Sequence, residues 1–346
     1  MISRRRVRMA KKLWAVLLVL VLLVPSCLTG CAREAALGTE DHPFQIYFVP
    51  SVEVSVIVES GDAIAQFLEE QTGYKFEVKV PTTYSAVVEE MGAAEGDAIA
   101  FIPALGYVLA ADTYGADVSL ATVRYGWGFY WAQYLVACDS GMTSLADLNG
   151  KRWAYPDTGS TSGYLVPASY FAKNGIDPGD ELAAGGHPQA VLALYEGQVD
   201  FATTFFSPPG EQGEWQIGDA PQPQGEITVE QDGDSWKAFI GGMRIRDARA
   251  SLLGDFPDIL EKVCILDISD PIPNDTVSFS KDFPTDAREK IVQALIDYAA
   301  TDEGLAVLSN DAFYDITGFA PVDDSNFDPI RDMITGLGLK EEDILK

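Results

Sequence analysis

Basic residues are scarce in this chain. Its 24 Lys and Arg stand against 52 Asp and Glu, a formal net charge of −28. Arg4, Arg5, Arg6, Arg8, Lys11 and Lys12 lie ahead of residue 13, and no cationic cluster follows them. Phosphate backbones are gripped by clustered Lys and Arg, so nucleic-acid binding is excluded. The only histidines are His42 and His187, and the four cysteines form no closely spaced pair of the zinc-site kind. A metal site therefore lacks its usual ligands, and no metal or other cofactor is expected. Asp232-Gly-Asp234 is missing the rest of a calcium loop and reads as a solvated turn. No Lys follows the glycines of Pro156 to Gly163, which excludes a Walker loop, and there is no Gly-x-Ser-x-Gly nucleophile elbow. No apolar run reaches the roughly 18 residues that would span a bilayer.

The pronounced apolar run that is present, Leu13 to Val24, follows the basic group and is closed by Pro25, the pattern of an export signal. It ends at Leu28-Thr-Gly-Cys31, which is similar to a bacterial lipobox, whose cysteine carries the lipid. The expectation is a signal over residues 1–30, lipidation at Cys31, a tether over 31–43, and a protein held at the outer face of the cytoplasmic membrane, at the cell surface or in the periplasm. An ordinary signal with an incidental cysteine is the alternative. Cys138 and Cys264 remain as the two thiols that could pair in an oxidising compartment. Each also lies in an apolar, β-branched stretch where cysteine serves as a small buried hydrophobe.

Phe44 to Val49, Phe76 to Val80 and Ala98 to Ile102 read as strands, with helices from about Ile57 to Gln71 and from Tyr84 to Met91 between them. The alternation restarts after Asp139: a strand at Lys151 to Tyr155, helices from Ser160 to Asn174 and from Pro188 to Glu196, and a strand at Val199 to Thr203. Strands alternating with helices imply parallel sheets, and two such units in series suggest two lobes. Residues 208–242, rich in Gly, Pro, Gln and acid, read as an irregular insertion. Helix resumes at Asp286 to Ala300.

Ser160-Thr161-Ser162-Gly163 follows a strand and opens a helix. Hydroxyls and unpaired amides at a helix start suit an oxyanion without formal positive charge, although the same residues would serve as a plain N-cap. His187 opens the next helix, where it is either a structural group or a ligand. A Ser162–His187–Asp200 triad can be written but has no supporting motif. Tyr84, Trp127, Tyr130 and Trp131 lie near element ends, and Asp275 sits in a proline-bracketed segment, Pro271-Ile-Pro-Asn-Asp275.

Together these segments resemble the substrate-binding proteins of phosphate, phosphite and phosphonate ABC transporters. The matching pieces, in order, are Tyr84 in Thr83-Tyr-Ser-Ala86, Tyr130 in Phe129-Tyr-Trp131, the run from Ser160 to Pro167, His187 ahead of Ala193 to Asp200, and Pro271 to Asp275. The resemblance implies an α/β, two-lobed type II periplasmic-binding fold, each lobe a mainly parallel sheet flanked by helices, with two hinge crossovers. Lobe one would comprise 44–135 and 276–346, and lobe two 136–275. It also implies a non-enzymatic protein, a monomer, that captures a small oxyanion and delivers it to an ABC permease. Ser160, Thr161, Ser162 and His187 would donate hydrogen bonds to the ligand, Tyr84 and Tyr130 would close over it from the other lobe and the hinge side, and Asp275 would accept a hydrogen bond from a ligand P–OH. Aminophosphonate binders of this family carry a carboxylate just after the strand equivalent to Val199–Thr203. None occurs here before Glu211, so phosphite, phosphate or an alkylphosphonate is favoured. The alternatives are a secreted phosphoester hydrolase using Ser162 and His187, and a binder of the same fold serving a sensor.

Overall fold

The computed structural model describes residues 36–339 except 211–212, 233–234 and 311. The signal, Cys31, Glu211 and Gly233-Asp234 lie outside the described residues. Along the chain run β1 (Phe44–Phe48), α1 (Val54–Thr72), β2 (Phe76–Lys79), α2 (Tyr84–Ala93), β3 (Ala98–Ile102), α3 (Ala104–Tyr114) and β4 (Asp117–Val123). Then come β5 (Phe129–Ala137), β6 (Trp153–Tyr155), α4 (Val166–Asn174), β7 (Glu181–Ala183), α5 (His187–Tyr195) and β8 (Phe201–Phe206). They are followed by β9 (Ile227–Asp232), β10 (Ser235–Ile240), β11 (Met243–Arg244), α6 (Ile259–Lys262), β12 (Val263–Ile268) and β13 (Ile272–Pro273). The chain closes with β14 (Thr276–Phe279), α7 (Thr285–Ala299), α8 (Asp302–Leu308), β15 (Gly318–Pro321) and α9 (Asp328–Leu337).

Two sheets organise the elements. The first runs β15-β4-β14-β3-β1-β2 and the second β12-β5-β8-β6-β7, with β13 also on β5. Within each, the βαβ strands pair in parallel (β2-β1-β3 and β8-β6-β7), and the strands next to the lobe crossings pair antiparallel. The chain passes between the sheets twice, at 124–128 and at 274–275. The whole of β5 belongs to the second sheet, so the second lobe takes in residues from 129, ahead of the expected boundary at 136. The cause is visible in the pairing: Trp131 to Val136 register against Phe206 to Phe201 of β8.

Helix α1 buries Ile57, Gly61, Ile64, Ala65 and Leu68 on the first sheet and stops at Gly73, whose φ of 75° lets its N–H close on the Glu69 carbonyl. The expected helix at Ser160 is two elements: a π-helical turn, Thr161–Leu165, precedes α4. The Leu165 N–H bonds the Ser160 carbonyl at 3.1 Å, a five-residue register that suits the missing donor of Pro167.

The stretch 208–242 is not irregular throughout: regular structure begins at Ile227. β9, β10 and β11 form an antiparallel sheet whose Ala238 and Ile240 join Ala190, Val191 and Leu194 of α5 in one core. Trp215, 2% exposed, packs edge-on against Trp131. A buried bidentate pair, Arg249 with Asp247, also reaches Gln222 and the Val263 carbonyl, tying this region to β12. Cys138 and Cys264 are joined in a disulfide between neighbouring strands. Their apolar surroundings suggested burial, but Cys138 is exposed and Cys264 half-buried, and the β5-β12 pairing that brings them together is a long-range fact. No described helix is long and apolar enough to cross a membrane.

Candidate functional site

The parallel strands point their carboxyl ends at the gap between the lobes, where open α/β sheets hold ligands. After β1 come Val49 and Ser51, after β2 Tyr84, after β3 Pro103, after β6 Ser160 and Ser162, and after β7 His187; all line one cavity of about 40 Å³. Arg124 and Asp275 enter from the two crossovers and Tyr130 from the start of β5, and Phe205, Phe313, Tyr314 and Asp315 complete the wall. Six of the seven residues singled out in the sequence thus share a wall.

Thr161 is the exception. It is fully buried, and its Oγ1 accepts a 2.9 Å hydrogen bond from the Leu105 N–H at the start of α3. The hydroxyl therefore caps a first-lobe helix from the second lobe. Ser160 lines the cavity and is also an N-cap, its Oγ accepting from the Gly163 N–H at 3.1 Å. Ser160 thus caps the turn and lines the cavity at once.

Arg124 is the residue missed in the sequence, where no cation was expected at the site. It is 8% exposed, and its guanidinium donates to Asp275 Oδ2 at 2.5 Å. The pair joins the two crossovers, which are further stapled by Asn274 Nδ2 donating to the carbonyls of Thr122 (2.8 Å) and Trp127 (2.9 Å) and by Thr122 N–H donating to the Asp275 carbonyl (2.8 Å). Burial opposes the charge on Arg124, but Asp275, with smaller help from Tyr130, Asp315 and Tyr125, more than offsets this, leaving the guanidinium above its ordinary range.

His187, Tyr84 and Tyr130 are neutral. Burial, and then the nearby Arg124, push the His187 imidazole down to about 3. Burial holds the Tyr84 phenol well above its ordinary range, and burial followed by Asp275 does so for Tyr130, against hydrogen bonds shared with Ser162 and Thr161. Buried polar atoms at the cavity with no hydrogen-bond partner in the protein include Ser51 Oγ, Tyr84 Oη, Arg124 Nε and His187 Nδ1. Leaving such groups unsatisfied costs about 1–3 kcal/mol each, so an acceptor-rich occupant would relieve several at once.

The hypothetical triad is absent. Asp200 is held by the Arg152 backbone N–H and guanidinium at 2.9–3.2 Å, away from the cavity. Trp127 and Trp131 belong to an aromatic cluster with Phe129, Phe206 and Trp215. Among the described residues no three His, Cys, Asp or Glu side chains converge as a metal site.

Residues 46–327 match the family described as "ABC transporter, phosphonate, periplasmic substrate-binding protein". The chain is 30% identical over 201 residues to the phosphate-import protein PhnD of Mycolicibacterium smegmatis, covering 54% of this chain and 62% of that protein. It is 27% identical over 300 residues to the phosphonates-binding periplasmic protein of Escherichia coli, covering 81% of this chain and 75% of that one. Among solved structures, a binding-protein component of a Pseudomonas aeruginosa ABC phosphonate transporter superposes with a TM-score of 0.64 at 21% identity, covering 85% of this chain and 86% of that one. These relatives are binding proteins, not enzymes. Fold, cavity and family profile converge, and the chain belongs to the periplasmic substrate-binding proteins of phosphonate ABC transporters.

Proposed function

We propose that the protein captures phosphite, phosphate or an alkylphosphonate and passes it, as a lipid-anchored monomer, to the permease of an ABC importer. The observation that carries this reading is the ring of unsatisfied buried polar groups, Tyr84 Oη, Arg124 Nε and His187 Nδ1, around a cavity of tetrahedral-anion size. Three helical starts, at Tyr84, Ser160 and His187, add their amide dipoles. The curated relatives named for phosphate import and phosphonate binding agree with it. Strand β8 and Ser207 carry no carboxylate to hold an ammonium group, which favours ligands without an amine.

Asp275 supplies selectivity. A carboxylate on the wall repels a fully deprotonated anion and accepts a hydrogen bond from a P–OH, and Arg124 offsets its charge only in part. Calorimetry against phosphite, phosphate, methylphosphonate, aminoethylphosphonate and sulfate tests this. Saturable one-to-one binding of the first three without turnover, with sulfate rejected, is expected; equal affinity for sulfate would overturn it. Asp275→Asn, which leaves Arg124 without its counter-charge, should bind sulfate at least tenfold better than the unsubstituted protein. The lipid anchor rests on the Leu28 to Cys31 motif, and Cys31→Ser should move the protein from the membrane fraction to the soluble exported fraction.

A further inference from the structure

Asp157 is a carboxylate to which the oxyanion site assigns no role. It follows β6 in the turn ahead of Ser160, yet it does not line the cavity, and no Lys, Arg or His is among the groups acting on it. It is half-buried, and burial pushes its carboxyl up from the ordinary range. A partly desolvated negative charge beside a site for anions works against capture unless the protein gains something else from it. We infer that Asp157 is a positioning residue for capture: when the lobes close, its carboxylate caps the first turn of α2 from the opposite lobe and so holds Tyr84 over the bound anion. The inference rests on the reading of the cavity as an oxyanion site.

The start of α2 offers what this carboxylate lacks. That helix has no acid in its own first turn, and its cap, the Thr83 hydroxyl, takes the Ala86 N–H at 3.1 Å. The Tyr84 N–H is left over at the positive end of the helix dipole, where an anion is favoured. Two backbone donors act on the Asp157 carboxylate against burial. One is the Gly159 N–H, 2.7 Å from Oδ1 within the same turn, and the other is the Tyr84 N–H across the gap between the lobes. The approach is close because Gly159 has no side chain: a Cβ placed there would stand 3.2 Å from Asp157 Oδ1 and 2.7 Å from Tyr84 Cβ.

Thr161 supports the same arrangement independently. From the same loop it caps the next first-lobe helix, α3, through the Leu105 N–H. One short segment of the second lobe, 157–161, therefore meets the starts of two consecutive first-lobe helices, and both acceptors reach their donors only when the lobes are together. The two contacts differ in what they hold. Leu105 does not line the cavity, whereas Tyr84 is 4% exposed, lines it and has an Oη without a protein partner. Fixing the backbone at Tyr84 fixes the direction of that hydroxyl, so the carboxylate acts on the ligand through Tyr84 and without touching it.

Stopped-flow kinetics and calorimetry on the full chain, with inorganic phosphate, phosphite and methylphosphonate as probes, test this in Asp157→Ala and Asp157→Asn. A contact made only after closure governs release more than encounter. Asp157→Ala should therefore release the anion at least tenfold faster, with its association rate changed less than twofold and the melting temperature of the ligand-free protein nearly unchanged. Asp157→Asn, whose side-chain oxygen still accepts both N–H groups, should stay within threefold of the unsubstituted protein. Unaltered release from Asp157→Ala, or a ligand-free melting temperature that falls along with affinity, would mean that Asp157 serves only its own turn and would overturn the proposal. An Asn variant as weak as the Ala variant would overturn it as well, since the acceptor alone would then not hold α2. If the unsubstituted protein bound none of the three probes, the oxyanion reading itself would fall, and the role of Asp157 with it.

Discussion

Arg124 does two things with one guanidinium. It donates to Asp275 and presents Nε, without a protein partner, at the cavity wall. Arg124→Gln should weaken oxyanion binding by at least about 1.5–3 kcal/mol, the range for a hydrogen bond to a charged group, as read by calorimetry. Unaltered affinity in a folded variant would remove Arg124 from the ligand's surroundings. His187 makes a pH prediction. Its imidazole titrates near 6.5 in an unfolded chain and about 3 in the folded one, because burial and Arg124 both resist the proton. Its contribution to stability is therefore complete above about pH 6.5 and is lost as pH falls toward 3, with a slope of about 1.4 kcal/mol per pH unit. Between pH 7 and 4 the melting temperature of His187→Gln should fall less steeply than that of the unsubstituted protein. Parallel curves would mean that His187 accepts a proton without unfolding. The difference in legibility between these two residues is physical. His187 announced itself through Pro188 and a helix start, which are local signals. Arg124 sits in Val123-Arg-Tyr-Gly126 with no motif, and its partner lies 151 residues away.

At the scale of elements, the Leu105 N–H to Thr161 bond caps α3 from the opposite lobe, and the His187 N–H similarly reaches the Ser51 carbonyl at 3.3 Å. The Thr161 hydroxyl contributes to the contact between lobes and not to the cavity wall. Thr161→Val should weaken all oxyanions alike, by about 0.5–1.5 kcal/mol, with their rank order preserved. A change of rank order would place the hydroxyl on the ligand. Strands β1, β2 and β3 and helices α1 and α2 could be read from periodicity because each is a local pattern with a stop signal nearby. The β9-β10 hairpin could have been read too. Gly233-Asp234, between the alternating Ile227-Thr-Val-Glu-Gln-Asp232 and Ser235-Trp-Lys-Ala-Phe-Ile240, is a two-residue hairpin signal. The surrounding Gly, Pro and Gln obscured it, because composition over a long window averages out a two-residue turn.

Across the molecule, closure brings backbone against backbone. A Cβ added at Gly159 in the second lobe would stand 2.7 Å from Tyr84 Cβ in the first, and neither atom can rotate away. Gly159→Ala should leave the fold and melting temperature of the ligand-free protein nearly unchanged while weakening every ligand at least tenfold. Small-angle scattering should then show the variant failing to compact at phosphate concentrations that compact the unsubstituted protein; equal compaction would mean that the lobes can meet without that approach.

The Cys138–Cys264 bridge, spanning 126 positions, encloses β6 through β11 and leaves both crossovers outside the loop it closes. Seen as a mechanical and proteolytic object, most of the second lobe is a covalent ring hung from two short straps. A pull applied between β1 and the C-terminal helix passes through the bridge and bypasses the ring. A protease that cuts once anywhere inside the ring opens a loop but releases no fragment. In a compartment rich in proteases and free of thiol reductants, such a nicked molecule keeps its cavity walls joined, and its cut becomes visible on a gel only after reduction.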